Sequence, residues 1–270
     1  MSRDADLPIS HWSRLWLYCF GALILFFLIA PSVIVVVMSF SGSSFLQFPP
    51  QSWSLRWYTR YFESMEWREA TGVSLKVAIM TTLVATPLGS AAAYAVNLKT
   101  LRYGNVALAV LVSAIIIPVI LIGIGVFFLY ARLGLNNTFT GLVIAHTALA
   151  LPLVVMTVLA GLRSYDMDQE RAARSLGATP LRAFIEVTMP QISLSIIAAS
   201  LFAFITSFDE VVVSFFTSGG DMSTLSRRMF TSLRDEIDPT IAAISTCLII
   251  LSVILLSVAH LVGASRTRES

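Results

Sequence analysis

The sequence predicts an all-α polytopic membrane protein with about six transmembrane helices. Of its 270 residues, 56% are hydrophobic and only 13% are charged, whereas soluble domains carry roughly a quarter charged residues. With a mean hydropathy of +0.80, the chain has too few polar groups to cover the surface of a soluble domain. Part of its apolar surface must therefore face lipid, so the bilayer is the first partner that we expect.

Six apolar stretches are each close to the roughly 20 residues that cross a bilayer core. The first of them is too long for the hydrophobic part of a cleaved signal peptide, which spans roughly 7–15 residues, and no small-x-small cleavage pattern follows it. It is therefore counted as a span. The predicted spans are Leu15–Met38, Thr71–Val96, Asn105–Tyr130, Gly141–Leu162, Ile192–Val213 and Ile241–Val262.

Prolines inside four of the spans predict kinks, because an internal proline removes a helical hydrogen bond. These residues are Pro31, Pro87, Pro118 and Pro152. Such kinks fit a bundle that encloses a pathway, and they fit ordinary helix packing equally well.

Lys and Arg near the span ends predict the orientation of the chain. The short turn with Lys99 and Arg102 and the arginine-rich loop at 163–182 carry the excess positive charge, so we assign both to the cytoplasm. Both termini then lie in the cytoplasm as well. The expected domains are a cytoplasmic segment at 1–14, a transmembrane domain at 15–265 and a cytoplasmic tail at 266–270.

The long loop at 163–190 has the pattern of a helix–turn–helix. Good helix formers precede Gly177, which we expect to end the first helix in a left-handed conformation. Thr179 is the expected N-cap of the second helix, with Pro180 at its first position. The loop is therefore predicted to be ordered.

Ala172 and Ala173 give the first helix of the loop a shallow face that a groove on another protein could accept. Gly177 follows them, and Val187, Met189 and Pro190 end the loop. This pattern resembles the Glu-Ala-Ala loop of ATP-binding-cassette (ABC) importer permeases, whose two alanines, glycine and Ile-x-Leu-Pro take the same positions. Similarity to the polyamine-type permeases of this family extends over roughly residues 71–264.

One position departs from the motif. Arg171 stands where the family has glutamate, and the acid is displaced by one residue to Glu170. In the family that acid contacts the ATPase subunit. We therefore expect Glu170 to join Ala172 and Ala173 in the docking surface if it replaces the missing acid.

The resemblance implies a type I ABC importer permease fold in the bacterial inner membrane. It also implies a dimer of ATP-binding subunits, a second permease subunit and an extracytoplasmic substrate-binding protein as partners. The substrate would be a small solute, a polyamine or a related amine or opine-like compound. The chain contains no Gly-x-x-x-x-Gly-Lys-Ser/Thr motif, so another chain must bind ATP. No catalytic residue, cofactor or metal is expected.

Several polar side chains fall within the predicted spans, and three of them are candidates for a role. Asp209 and Glu210 are either residues of the translocation pathway or helix-end acids in structural hydrogen bonds. Because Arg227 and Arg228 follow soon after them, they do not decide the sign of the substrate's charge. His146 is expected to be packed and hydrogen-bonded rather than a proton relay.

Other classes of protein fit less well. An intramembrane aspartyl protease needs Gly-x-Gly-Asp, but Ser218 precedes Gly219-Gly220-Asp221. A proton-coupled carrier would need inverted repeats and a relay of buried acids, which the sequence does not show. The net charge of +2 gives no support to nucleic-acid binding. Cys19 and Cys247 lie in apolar stretches, so no disulfide framework is expected.

Overall fold

The computed structural model describes residues 15–98 and 103–266. The predicted segment at 1–14, the basic turn at 99–102 and the tail beyond residue 266 lie outside the described residues. In the described part, regular structure is helical apart from one bridge between Ser41 and Trp53. The helices are α1 (Leu15–Ser39), α2 (Arg56–Glu63), α3 (Met65–Asn97), α4 (Gly104–Ser113), α5 (Val119–Leu133), α6 (Phe139–Ser164), α7 (Asp168–Ser175), α8 (Pro180–Ala183), α9 (Met189–Gln191), α10 (Ser193–Phe208), α11 (Val212–Thr217), α12 (Leu225–Asp235) and α13 (Thr240–Arg266).

The chain forms two compact units, one made of Met1–Glu63 with Ile237–Ser270 and the other of Ser64–Glu236. In the first unit, α13 contacts both α1 and α2. The guanidinium of Arg60 lies 3.4 Å from the buried carboxylate of Asp238. Along α1 the large apolar side chains are exposed, as a helix in lipid requires.

In the second unit, α3, α6 and α10 pack against one another around small buried side chains. A Cβ atom added at Gly89 would lie 2.5 Å from Cγ1 of Val154, so the absence of a side chain at residue 89 is what lets α3 approach α6. Such close approach through small residues is typical of membrane helices. Further small residues in this core are Ala85, Ala93, Ala150, Ala199 and Ala203.

Three helices, α1, α3 and α6, are long and apolar enough to cross a membrane. The segments Pro180–Gln191 and Ser193–Phe208 meet at an angle of 82° and count as a fourth if they form one broken span. The shorter apolar helices are Gly104–Ser113, Val119–Leu133 and Thr240–Ile254. The all-α membrane fold is thus confirmed.

The third predicted span was wrong as a single helix. The structure divides Asn105–Tyr130 into α4 and α5, with the break ending at Pro118. Proline lacks the backbone N–H and disfavours the helical conformation at the residue before it, here Ile117. The fifth predicted span, Ile192–Val213, also ends early, because α10 stops at Phe208.

Candidate functional site

The turn in the loop at 163–190 has the predicted geometry. Gly177 follows α7 with a φ of +97°, the left-handed conformation that favours glycine. Thr179 precedes α8, and its hydroxyl oxygen accepts a hydrogen bond from the backbone N–H of Arg182 at 3.3 Å. Pro180 stands at the first position of α8. These local predictions are confirmed.

The second helix of the loop is less regular than the sequence pattern indicates. After the single turn of α8, Phe184–Thr188 forms a π-helical turn, and α9 follows directly. Pro190 lies exposed in α9, just before the 82° bend into α10. The loop therefore joins α10 through two irregular segments in succession.

The side chain of Glu170 does not point outward, which corrects the expectation that it joins a docking surface. It is only 1% exposed. Its carboxylate accepts hydrogen bonds from the hydroxyl of Tyr94, near the C-terminal end of α3, and from the hydroxyl of Thr188, at 2.5 Å. The rings of Tyr94 and Phe184 pack with centroids 4.6 Å apart.

The exposed side of α7 carries the residues that surround Glu170 in the sequence. Ala172 is exposed and Ala173 is half-buried. Arg171 stands at the motif's acid position, and its guanidinium lies 2.7 Å from the carboxylate of Asp168, both side chains being about three-quarters exposed. The outward face of α7 is therefore shallow in the middle and carries an ion pair at its edge.

A cavity of about 690 Å³ lies beside the start of α7. Arg163 and Arg171 line it together with Asp166 and Asp168, so its wall carries both signs of charge. The rest of the wall is formed by apolar and amide side chains from α3, α4 and α6 and by Tyr165 and Met167, which lie between α6 and α7.

The second feature of the unit Ser64–Glu236 is a helix interrupted at two acids. Asp209 follows the end of α10 and is exposed. Glu210 is half-buried, and its carboxylate accepts a hydrogen bond from the backbone N–H of Val213 at 2.7 Å. The two neighbouring acids thus have different surroundings: Glu210 accepts a hydrogen bond from the start of α11, whereas the side chain of Asp209 is exposed.

His146 connects the two sides of this interruption. From α6, its Nδ1 lies 2.9 Å from the hydroxyl of Ser207 in α10, and its Nε2 lies 3.1 Å from the hydroxyl of Ser214 in α11. The ring is 1% exposed. The prediction of a packed, hydrogen-bonded histidine is confirmed. The two serines were missed, because no local spacing relates them to residue 146.

Arg227 and Arg228, in the first turn of α12, both have partners. The guanidinium of Arg227 donates to the backbone carbonyl of Ser218 and lies 5.8 Å from the ring centre of Phe215. Burial lowers the pKa of Arg227 from its ordinary value. Arg228 donates to the carboxylate of Glu66. Neither arginine contacts Asp209 or Glu210 in an ion pair among the described residues.

The profile of a known family matches residues 85–268, which is most of the chain. That family is described as the binding-protein-dependent transport system inner membrane component. The chain belongs to this family. The resemblance seen in the sequence is confirmed, and the permease is a non-catalytic subunit of an ABC importer, in which a separate subunit hydrolyses ATP. Such permeases work with an ATPase subunit, a second permease and a binding protein.

Two curated relatives span nearly the whole permease. The putrescine transport system permease protein PotI of Escherichia coli (strain K12) is 30% identical over 230 residues, which cover 83% of this chain and 82% of PotI. The spermidine/putrescine transport system permease protein PotC of the same strain is 27% identical over 242 residues, covering 90% and 91% of the two chains.

A solved structure has the same fold as the permease. It is a bacterial ABC transporter involved in the import of the acidic polysaccharide alginate. The TM-score is 0.69 with 15% identity, and the match covers 95% of this chain and 98% of the other. At this identity the likeness extends to the fold alone.

Proposed function

We propose that this permease forms part of the translocation pathway for a polyamine or a related small amine, and that its loop at 163–190 transmits the ATPase cycle to the spans. The observation that carries the coupling role is the shallow outward face of α7. Ala172 and Ala173 stand there just before the left-handed turn at Gly177. A face of small side chains lets a groove on a partner approach the helix backbone closely.

The coupling mechanism follows from this arrangement. Closure of an ATPase dimer would carry the docked α7 with it, and the spans that adjoin the loop would move in response. The binding protein would then release its solute into the opened pathway. Hydrolysis of ATP would return the loop to its starting position.

The choice of an amine as substrate rests on two supports. PotI and PotC are named for putrescine and spermidine, and they span nearly the whole chain. Asp209 presents an exposed carboxylate at the helix interruption, which suits an ammonium group. Glu210 contributes by accepting a hydrogen bond from the backbone N–H of Val213 in the first turn of α11. An opine-like compound, which also carries an amine, is the second candidate.

The coupling role is tested by a charge placed on the shallow face. Ala173→Asp puts a carboxylate where the partner must exclude water, which should weaken association by roughly 2–3 kcal/mol. Ala172→Asp does the same at an exposed position. Tagged permease should reach the membrane normally, yet lose the ATPase subunit on purification. The matched control is Ala131→Asp, at an exposed alanine near the end of α5. Undiminished co-purification of the ATPase subunit with both loop variants would remove the proposed role.

We also propose the orientation predicted from charge, with both termini and the loop at 163–190 in the cytoplasm. The domains would then be a cytoplasmic segment at 1–14, a transmembrane domain at 15–265 and a cytoplasmic tail at 266–270. Single cysteines at Ser175 and Gln51, in a chain without Cys19 and Cys247, report it through an impermeant thiol reagent on spheroplasts. The Gln51 position should be labelled and the Ser175 position protected. The reverse pattern would invert the orientation.

A further inference from the structure

Glu170 differs from Asp168 and Glu186, two other acids of the loop, in having no cation partner. Asp168 and Glu186 are exposed and ion-paired to arginines at 2.7 Å and 2.9 Å. Glu170 is buried, and in the part of the chain that the structure describes no Lys, Arg or His lies within ion-pair distance of it. Burying a carboxylate without a cation is unfavourable unless hydrogen bonds satisfy its oxygens.

Two hydroxyl groups from different elements supply those hydrogen bonds. The hydroxyl of Tyr94 bonds one carboxylate oxygen, and the hydroxyl of Thr188 bonds the other. Thr188 is fully buried at the end of the π-helical turn, while Tyr94 belongs to the long helix α3. One side chain of α7 therefore ties that helix both to α3 and to the segment that leads into α10.

The elements around Glu170 need hydrogen bonds of this kind to hold them together. At eight residues, α7 is too short to be stable alone. The segment that follows contains a left-handed turn, a single helical turn and a π-helical turn before the bend of 82°. A force applied to the outward face of α7 would be absorbed by these irregular segments if nothing bridged them. The carboxylate of Glu170 provides the bridge.

We propose that Glu170 is a positioning residue. Its two hydrogen bonds, which we call the latch, hold α7 to Tyr94 at the C-terminal end of α3 and to Thr188, so that these elements move as one body when the ATPase moves the loop. Glu170 does not itself contact the ATPase. This inference rests on the coupling role proposed above, and it reassigns the displaced acid from the partner's surface to the interior of the permease.

The chemistry of glutamine separates the latch from a charge contact. In Glu170→Gln, the amide oxygen can accept from one hydroxyl and the amide N–H can donate to the other, so both links are kept. In Glu170→Ala both links are lost. A salt bridge to the ATPase would instead fail equally in both variants, because neither has a negative charge.

The assay uses the full complex, with its ATPase subunit, partner permease and binding protein in proteoliposomes, and labelled putrescine as the probe. For Glu170→Ala we expect normal co-purification of the ATPase subunit, while putrescine transported per ATP hydrolysed falls by about tenfold, the equivalent of losing one or two buried hydrogen bonds. Glu170→Gln should stay within about twofold of the unmodified protein, and so should the control Glu186→Gln, at an exposed acid of the same loop.

Hydrogen–deuterium exchange of the intact complex gives a readout that is independent of the substrate. Exchange at residues 168–176 should rise in Glu170→Ala and stay unchanged in Glu170→Gln. Tyr94→Phe and Thr188→Val should each give part of the rise, and neither should add to it in the Glu170→Ala background, since the shared link is already lost.

Three results would overturn the latch. The first is loss of the ATPase subunit from both Glu170→Ala and Glu170→Gln, which would make the acid a charge contact. The second is unchanged exchange at 168–176 in Glu170→Ala. The third is full additivity of Tyr94→Phe with Glu170→Ala. If Ala172→Asp and Ala173→Asp both leave the ATPase bound, the coupling proposal fails by itself, whereas the exchange data still report on the latch.

Discussion

Two irregular stretches of the unit Ser64–Glu236 are held in a similar way. In the loop at 163–190, the carboxylate of Glu170 lies between two hydroxyls, one from α3 and one from the π-helical turn. At the interruption between α10 and α11, the ring of His146 lies between two serine hydroxyls, one from each helix. In each stretch a single buried titratable side chain fixes elements that the backbone alone would leave weakly connected.

We call each of these buried side chains, Glu170 and His146, together with its two hydroxyl partners, a clamp. The exposed surfaces beside the two clamps differ. Around Glu170 two exposed acids, Asp168 and Glu186, form ion pairs with arginines, and the middle of the face is alanine. Beside the clamp of His146, the exposed carboxylate of Asp209 has no ion-pair partner among the described residues. The first surface suits a protein groove that needs close approach. The second suits a small cation. Mutations in the two regions should therefore have different effects. Those in the loop should weaken binding of the ATPase subunit, whereas those at the interruption should impair uptake.

The largest effect is expected at the turn of the loop. Gly177→Val places a β-branched residue at a φ of +97°, at a cost of roughly 1–3 kcal/mol in local strain. Nothing lies within 4 Å of the added Cβ, so strain rather than collision should displace α7. Tagged permease should then insert normally but lose its ATPase subunit on purification.

A matched glycine isolates this effect from strain in general. Gly134 ends α5 with a φ of +69° and likewise has open space around an added Cβ. Gly134→Val should therefore suffer similar strain while keeping the ATPase subunit. If the two variants lost or kept the subunit alike, the turn at Gly177 would have no special part in docking.

The clamp at the interruption should give the next largest effect. His146→Phe keeps the ring but leaves two buried serine hydroxyls without their partner, at about 0.6–1.7 kcal/mol for each hydrogen bond between membrane helices. We expect lower thermal stability in detergent and impaired putrescine uptake, with normal co-purification of the ATPase. Ser207→Ala removes one link and should be milder. Loss of the ATPase together with uptake would erase the distinction between the two regions.

Local signals in the sequence were enough to predict the turn of the loop. The left-handed glycine and the cap at Thr179 depend on neighbouring residues, so a pattern of a few residues identifies them. At Pro118 the sequence predicts a kink, whereas the structure has a break between α4 and α5. A proline after three isoleucines can bend a helix or end it, and the packing of the surrounding helices decides between the two.

The clamps could not be predicted in the same way. Tyr94 precedes its partner Glu170 by 76 residues, and His146 precedes Ser207 by 61. No periodicity links positions so far apart, since only the packing of α3 and α6 brings them near α7 and α10. For the same reason the burial of the Glu170 side chain could not be predicted, because the motif gives the spacing along α7 but not which side of the helix is covered.

A smaller effect is expected at the acids of the interruption. Asp209→Asn removes one exposed charge, and it should raise the KM for putrescine by about fivefold, the equivalent of roughly 1 kcal/mol of attraction in a partly solvated site. Glu210→Gln keeps an oxygen that can accept from Val213, so it should change KM less. Kinetics of uptake with saturating binding protein measure both, with the exposed acid of Glu236→Gln as control. An unchanged KM in Asp209→Asn would exclude Asp209 from the pathway.

The smallest effect is expected at the exposed ion pair of the loop. The guanidinium of Arg182 lies 2.9 Å from the carboxylate of Glu186, and both side chains are more than half exposed. Pairs of this kind contribute about 0.3–0.5 kcal/mol, because water competes for both charges. Glu186→Gln should therefore leave co-purification, stimulated ATP hydrolysis and transport unchanged. Glu186 and Glu170 belong to the same loop and have the same chemistry, so they differ chiefly in burial. If Glu186→Gln uncoupled transport as strongly as Glu170→Ala, net charge on the loop rather than the buried link would govern coupling. Repeating both measurements at raised ionic strength tests this directly, since salt screens the exposed pair and leaves the buried hydrogen bonds in place.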